Sequence, residues 1–159
     1  MDPEVLWLMS RAQSTLVPAA KMTLSTNQTS FLSGSTIGFD STSAQGGYAN
    51  IPTLASNRLT CNLNGIWSVK LNLYVTYSGT LTSVNLALMA NTGGTNNEFA
   101  NTSYNISATS GWAGSISADI QMSPADYVYA TLAFAGATSM VIVSCPFTFM
   151  SMTWQGTIT

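Results

Sequence analysis

Residues 66–77 read IWSVKLNLYVTY. Trp67, Val69, Leu71, Leu73, Val75 and Tyr77 fall on one side of a two-residue period, and Ser68, Lys70, Asn72 and Thr76 fall on the other. A helix cannot segregate that pattern, whereas a strand with one face in a core does. The period returns at 112–122, with Trp112, Ile116, Ala118, Ile120 and Met122 inward and Ser115, Ser117, Asp119 and Gln121 outward. Val84, Leu86 and Leu88 make a third such segment; Val128, Ala130, Leu132 and Phe134 make a fourth. Turn formers stand between them at Ser78-Gly79, across Asn91–Asn97 with its Gly-Gly pair, at Ser110-Gly111, at Ser123-Pro124-Ala125-Asp126 and at Gly136. Short strands at this spacing, with no convincing helix between them, predict an all-β chain built as an antiparallel sandwich or jelly roll.

The carboxyl end breaks the one-wet-face rule of such sandwiches. The 33 residues from Tyr127 to Thr159 contain no charge. In the last strand Phe147 and Phe149 lie on one face, while Thr148, Met150, Met152 and Trp154 lie on the other, so both faces are apolar. One face goes to the chain's own core. The other needs protein over it, and the nearest matching supply is another copy of the chain. Met150, Met152 and Trp154, with Tyr74, are the residues expected at that self-contact.

The amino end reads differently. Asp2 can cap a helix, Pro3 fits its first position and Glu4 suits the positive end of its dipole. Val5, Met9, Ala12 and Leu16 form a stripe, flanked by Leu6 and Leu8, and Trp7 extends it nearly all round. The expectation is a short helix over about 3–16 that Pro18 ends, within an arm of residues 1–30; the β domain then spans 31–159. A helix this short is marginal alone in water, so its stripe needs a surface, either its own domain or another chain. Val5, Leu6, Trp7, Met9 and Leu16 are the candidate docking residues.

Charge narrows the partners. Charged residues are 6% of the chain and net charge is −2, with basic residues only at Arg11, Lys21, Arg58 and Lys70. No basic stripe exists to neutralise phosphates, so nucleic acid is not an expected partner. No run of 18 apolar residues occurs, and two acids precede the first short apolar stretch, so neither a membrane helix nor a secretory leader is expected. With 46% hydrophobic residues the chain is not a disordered one.

Chemistry is equally restricted. The chain has no His, which removes His-based triads and His-ligated metals. The acids Asp2, Glu4, Asp40, Glu98, Asp119 and Asp126 show no acid–base pairing by position. Cys61 and Cys145 lack CxxC spacing and read as small buried hydrophobes, with a disulfide between them left open. No enzyme activity, metal or cofactor is expected.

Residues 37–73 read IGFDSTSAQGGYANIPTLASNRLTCNLNGIWSVKLNL. Ile37, Phe39 and Asp40, then Gly47 and Tyr48, Leu59 to Cys61, and Gly65-Ile66-Trp67 follow the order of motifs in one family. ADYVYATL at Ala125–Leu132 and the segment from Phe147 to Gly156 continue it. Over residues 31–159 the sequence resembles the globular head of the complement first component and its tumour-necrosis-factor-like relatives. The resemblance implies a jelly roll of that type that packs as a homotrimer. Ile-Trp stands where the family has Tyr-Phe, no collagen-like repeat is present, and the acids are too scattered for the calcium site of some relatives.

A small trimeric jelly roll with a leading arm and a surface of Ser, Thr and Asn is similar to the decoration, or cement, proteins of tailed phages. That reading makes the chain a structural protein on the outer surface of a virion, clamping neighbouring major capsid subunits. Three linked arms would bind far more tightly than one. The alternative is the receptor-binding tip of a head or tail fibre, in which a loop aromatic such as Tyr104 stacks on a sugar.

Overall fold

A computed structural model describes residues 17–44, 52–108 and 110–157. Ten strands occur among the described residues: β1 (Ala19–Thr23), β2 (Ser35–Thr36), β3 (Ser41–Ala44), β4 (Thr53–Ala55), β5 (Arg58–Thr60), β6 (Gly65–Thr92), β7 (Thr95–Ala108), β8 (Gly111–Met122), β9 (Tyr127–Ile142) and β10 (Phe149–Gly156). Every pairing between them is antiparallel. No helix occurs among the described residues. The all-β jelly-roll expectation holds.

One strand organises the rest. β6 is 28 residues long and serves two layers. Its first half lies between β10 and β8, and the first layer continues outward through β1 to β3. Its second half lies between β7 and β9, and the second layer continues through β5 to β4, with β2 also pairing β9. β9 crosses between layers alongside it, pairing with 83–91 and then with 75–79. The crossing needs glycine. Gly136 has φ +88°, and a Cβ there would come within 2.3 Å of the Thr80 carbonyl oxygen; Gly79 opposite has φ +86°. These glycines bend a strand that keeps its pairing, rather than ending it.

The inward residues of both layers meet in one core. Trp67, Val69, Leu71, Leu73 and Val75 face Leu86, Leu88, Val128, Ala130 and Leu132, all buried. Trp67 also has its indole N–H satisfied by the Leu63 carbonyl at 3.1 Å. A side chain of this size, fully buried, is worth about 3–5 kcal/mol against alanine.

Two expectations change. β1 is an integral strand between β10 and β3, and Gln28 bridges Ile142, so the boundary between arm and domain lies before residue 19 rather than at 30. The segment NEFANTSYNIS, expected as a loop, belongs to the 14-residue strand β7. Its pairing with the second half of β6 overrides the weak strand preference of its Asn and Ser residues. The proposed helix over 3–16, and with it Val5, Leu6, Trp7, Met9 and Leu16, lies outside the described residues.

Polar contacts fasten the loops. The Asp40 carboxylate accepts from the Ser25 backbone N–H at 2.7 Å and the Ser25 hydroxyl at 2.6 Å, and these bonds hold its pKa below the ordinary value. The 123–126 turn is closed by Asp126, whose carboxylate accepts from the backbone of Ser123 at 2.7 Å and of Gly93 at 3.0 Å. Cys61 is buried and donates to the Ser123 carbonyl at 2.6 Å. Burial, reinforced by the Asp126 charge, pushes its thiol up to about 11. Cys61 and Cys145 are both free thiols.

Candidate functional site

Alternation that sends one set of side chains into the core sends the other set outward. On the first layer the outward set comprises Lys21 and Thr23 of β1, Phe149, Ser151 and Thr153 of β10, Ser68, Lys70, Asn72, Tyr74 and Thr76 of β6, and Ala113, Ser115, Ser117, Asp119 and Gln121 of β8. Phe149, Asn72 and Ser115 form one row across the sheet. The Lys21 ammonium lies 4.1 Å from the centroid of the Phe149 ring, a cation–π contact. Phe147, at the entry to β10, is 46% exposed.

Asn72 stands out within this face. It is only 9% exposed, and its Oδ1 is buried with no hydrogen-bond partner. Leaving such an acceptor unmet costs about 1–3 kcal/mol. Nothing in the core layer explains it, because its strand neighbours Leu71 and Leu73 point the other way.

The register turns the last strand the other way from the sequence reading. Met150 and Met152 are fully buried in the chain's own core. Register is the reason: Met150 pairs with Leu71 and Met152 with Val69, and cross-strand partners share a face. Neither methionine has surface to offer a second copy. Trp154 is half-buried against the core, with its indole N–H donating to the Asn64 carbonyl at 3.3 Å. Tyr74 does lie on the outward face, half-buried, with its hydroxyl close to Gly111. The aromatic that belongs to this face is Phe149, which the sequence had paired with the core.

Lys21, Lys70 and Asp119 supply scattered charges, and no group of three His, Cys, Asp or Glu side chains among the described residues could hold a metal ion. Tyr104, the candidate sugar platform, sits in β7 half-buried, its ring centroid 5.2 Å from that of Trp112.

A second feature lies on the outward side of the other layer. Tyr127 and Tyr129, two residues apart on β9, both face away from the buried Val128 and Ala130. With Thr36, Ser56, Arg58 and Asn96 they line an open concavity of about 260 Å3. No motif marked it, because its residues come from four separate parts of the chain. The alternation of YVYA at 127–130 was the one available signal.

No family model matches the chain, and no curated protein matches it either. Solved structures share its fold. Eiger TNF from S. frugiperda superposes with a TM-score of 0.71 at 11% identity, over 90% of this chain and 95% of that one. Murine APRIL at pH 5.0 gives 0.66 at 7% identity, over 88% and 100%. The globular domain of zebrafish complement 1qA protein gives 0.63 at 12% identity, over 89% and 99%. The chain therefore has the jelly-roll fold of the TNF and C1q-like domains.

Proposed function

We propose that this protein is a structural, self-associating jelly roll: a homotrimer that decorates the outer surface of a viral capsid and ties neighbouring major capsid subunits together. The outward face of the first layer is the observation that carries the reading. It combines Phe149 and the half-buried Tyr74, with Phe147 exposed at the entry to β10. Copies packed through that face would cover these aromatics. The fold shared with TNF and C1q-like domains supports self-association, and the apolar residues 5–16 supply a separate segment for contact with the shell. In a trimer three such segments act together, so weak single contacts give durable attachment.

The test uses the full chain and a version lacking residues 1–16, a cut that spares β1. Size-exclusion chromatography with light scattering is expected to give a trimer for both, and only the full chain should co-sediment with shells. A monomer at micromolar concentration overturns the assembly. Undiminished co-sedimentation of the shortened chain overturns the role of the arm. The receptor-binding alternative draws support from the concavity around Tyr127 and Tyr129.

A further inference from the structure

The concavity on the second layer has a composition that selects a ligand class. β9 turns the Tyr127 and Tyr129 rings outward, 6.2 Å apart and inclined by 39°. The β4–β5 hairpin turns through Ser56 and Asn57, at φ 51° and 66°, and so delivers Arg58 to the same place. The guanidinium carbon of Arg58 lies 4.2 Å from the Tyr127 ring centroid. Thr36 of β2, Ser56 and Asn96 complete the rim with two hydroxyls and an amide. Asn96 already accepts from the Asn91 side chain at 2.9 Å, which fixes its orientation and leaves its amide nitrogen as a donor.

Among the described residues Arg58 is stacked, not ion-paired. The chain has only four basic residues, and each carboxylate among the described residues is committed elsewhere. Asp40 is held by Ser25, Asp126 by Ser123 and Gly93, and Glu98 by Asn101, while Asp119 lies on the outward side of the first layer. Stacking on Tyr127 uses the face of the guanidinium and leaves the N–H edge, whose fork matches a carboxylate. Tyr129 beside it offers a ring face of the kind on which the apolar face of a sugar rests, with the Tyr hydroxyl as a polar tip. The lining holds no acid that would repel an anion, and its hydroxyls and amide suit ring hydroxyls better than an apolar peptide side chain.

We propose that this concavity binds a carboxylate-bearing sugar. Arg58 takes the carboxylate, Tyr129 underlies the ring, and Thr36, Ser56 and Asn96 bond its hydroxyls. Because the site lies on the outward side of the second layer, its occupancy is separate from self-association through the first.

The test is saturation-transfer and titration NMR on the full chain with glucuronic acid, N-acetylneuraminic acid, glucose, acetate and inorganic sulfate. The two acidic sugars should bind weakly but saturably, at least about tenfold more tightly than glucose or acetate, as expected from one charge-assisted contact added to ring stacking. Arg58→Gln should remove that preference and Tyr129→Ala should abolish binding, both with wild-type circular dichroism and elution volume. Glucose binding equal to the acids, with Arg58→Gln unchanged, overturns the role of Arg58. Sulfate or acetate binding as tightly as the acidic sugars reduces the site to a simple anion hook and overturns the sugar assignment. Absence of saturable binding by either acidic sugar overturns the proposal outright. None of these outcomes bears on the oligomeric state, which light scattering reads independently.

Discussion

Met152→Asp and Phe149→Asp place the same carboxylate on one strand, three residues apart, and are expected to have opposite consequences. Met152 is fully buried, opposite Val69 on one side and Ala20 on the other. Removing its side chain costs about 2–5 kcal/mol. Burial raises a carboxyl pKa by up to roughly 3–5 units, enough to leave it neutral at pH 7, which adds about 4 kcal/mol there because the unfolded carboxyl would be ionised. The sum, about 6–9 kcal/mol, equals the whole stability of an ordinary domain. Phe149 faces outward and is half-buried, so the same change costs the single chain little. It loses a contact with Lys21 worth about 0.5–1 kcal/mol and gains an exposed ion pair of similar size. Its cost appears on assembly, where a carboxylate sealed between copies carries several kcal/mol. Thermal circular dichroism and light scattering separate the two effects. Met152→Asp should give insoluble or unfolded chain. Phe149→Asp should give a folded chain of lower mass than the wild type. A soluble, folded, dissociated Met152→Asp beside an intact Phe149→Asp assembly would show that the face assignment argued from register is reversed.

Asn72→Leu removes an unmet buried acceptor and should raise Tm by roughly 2–4 °C for each of the ~1–3 kcal/mol relieved; a lower Tm contradicts the unmet acceptor. At pH 8.5 iodoacetamide should alkylate Cys145 first. Burial raises its pKa, but hydrogen bonds from the Thr148 hydroxyl and from the Phe147 and Thr148 backbone outweigh that, whereas Cys61 is raised to about 11. Mass spectrometry showing Cys61 modified first in the folded protein would contradict this. Asp40 has a depressed folded pKa, so its stabilisation is complete above its unfolded value and is lost as pH falls through the folded one. Asp40→Asn should therefore lower Tm at pH 7 and flatten the loss of stability below about pH 4; an unchanged acid limb counts against the Ser25 contact.

The strands were legible where burial is one-sided. Residues 66–77 and 112–122 alternate so strictly that both their existence and their inward faces could be read directly. β10 could not be read that way. A two-residue period separates Phe149 from Met150 and Met152, but with both sets apolar only the pairing register says which set enters the core. β7 was hidden for the opposite reason: its Asn, Ser and Thr residues look like a loop until the second half of β6 is placed beside them. Gly79 and Gly136 announced changes of direction, correctly, yet sequence does not distinguish a bend in a continuing strand from a reversal. The Arg58–Tyr127 stack joins residues 69 positions apart and had no local signal.

The passage of β6 and β9 through both layers has a bearing on how the molecule comes apart. A sandwich whose layers share no strand can open like a book, one sheet fraying while the other persists. Here the spine of each layer is the continuation of the spine of the other, and most close pairs among the described residues join segments far apart in sequence. Such a topology folds slowly and opens as a unit. Amides at Val69 and at Leu86, on opposite sides of the bend, should then share one hydrogen-exchange free energy.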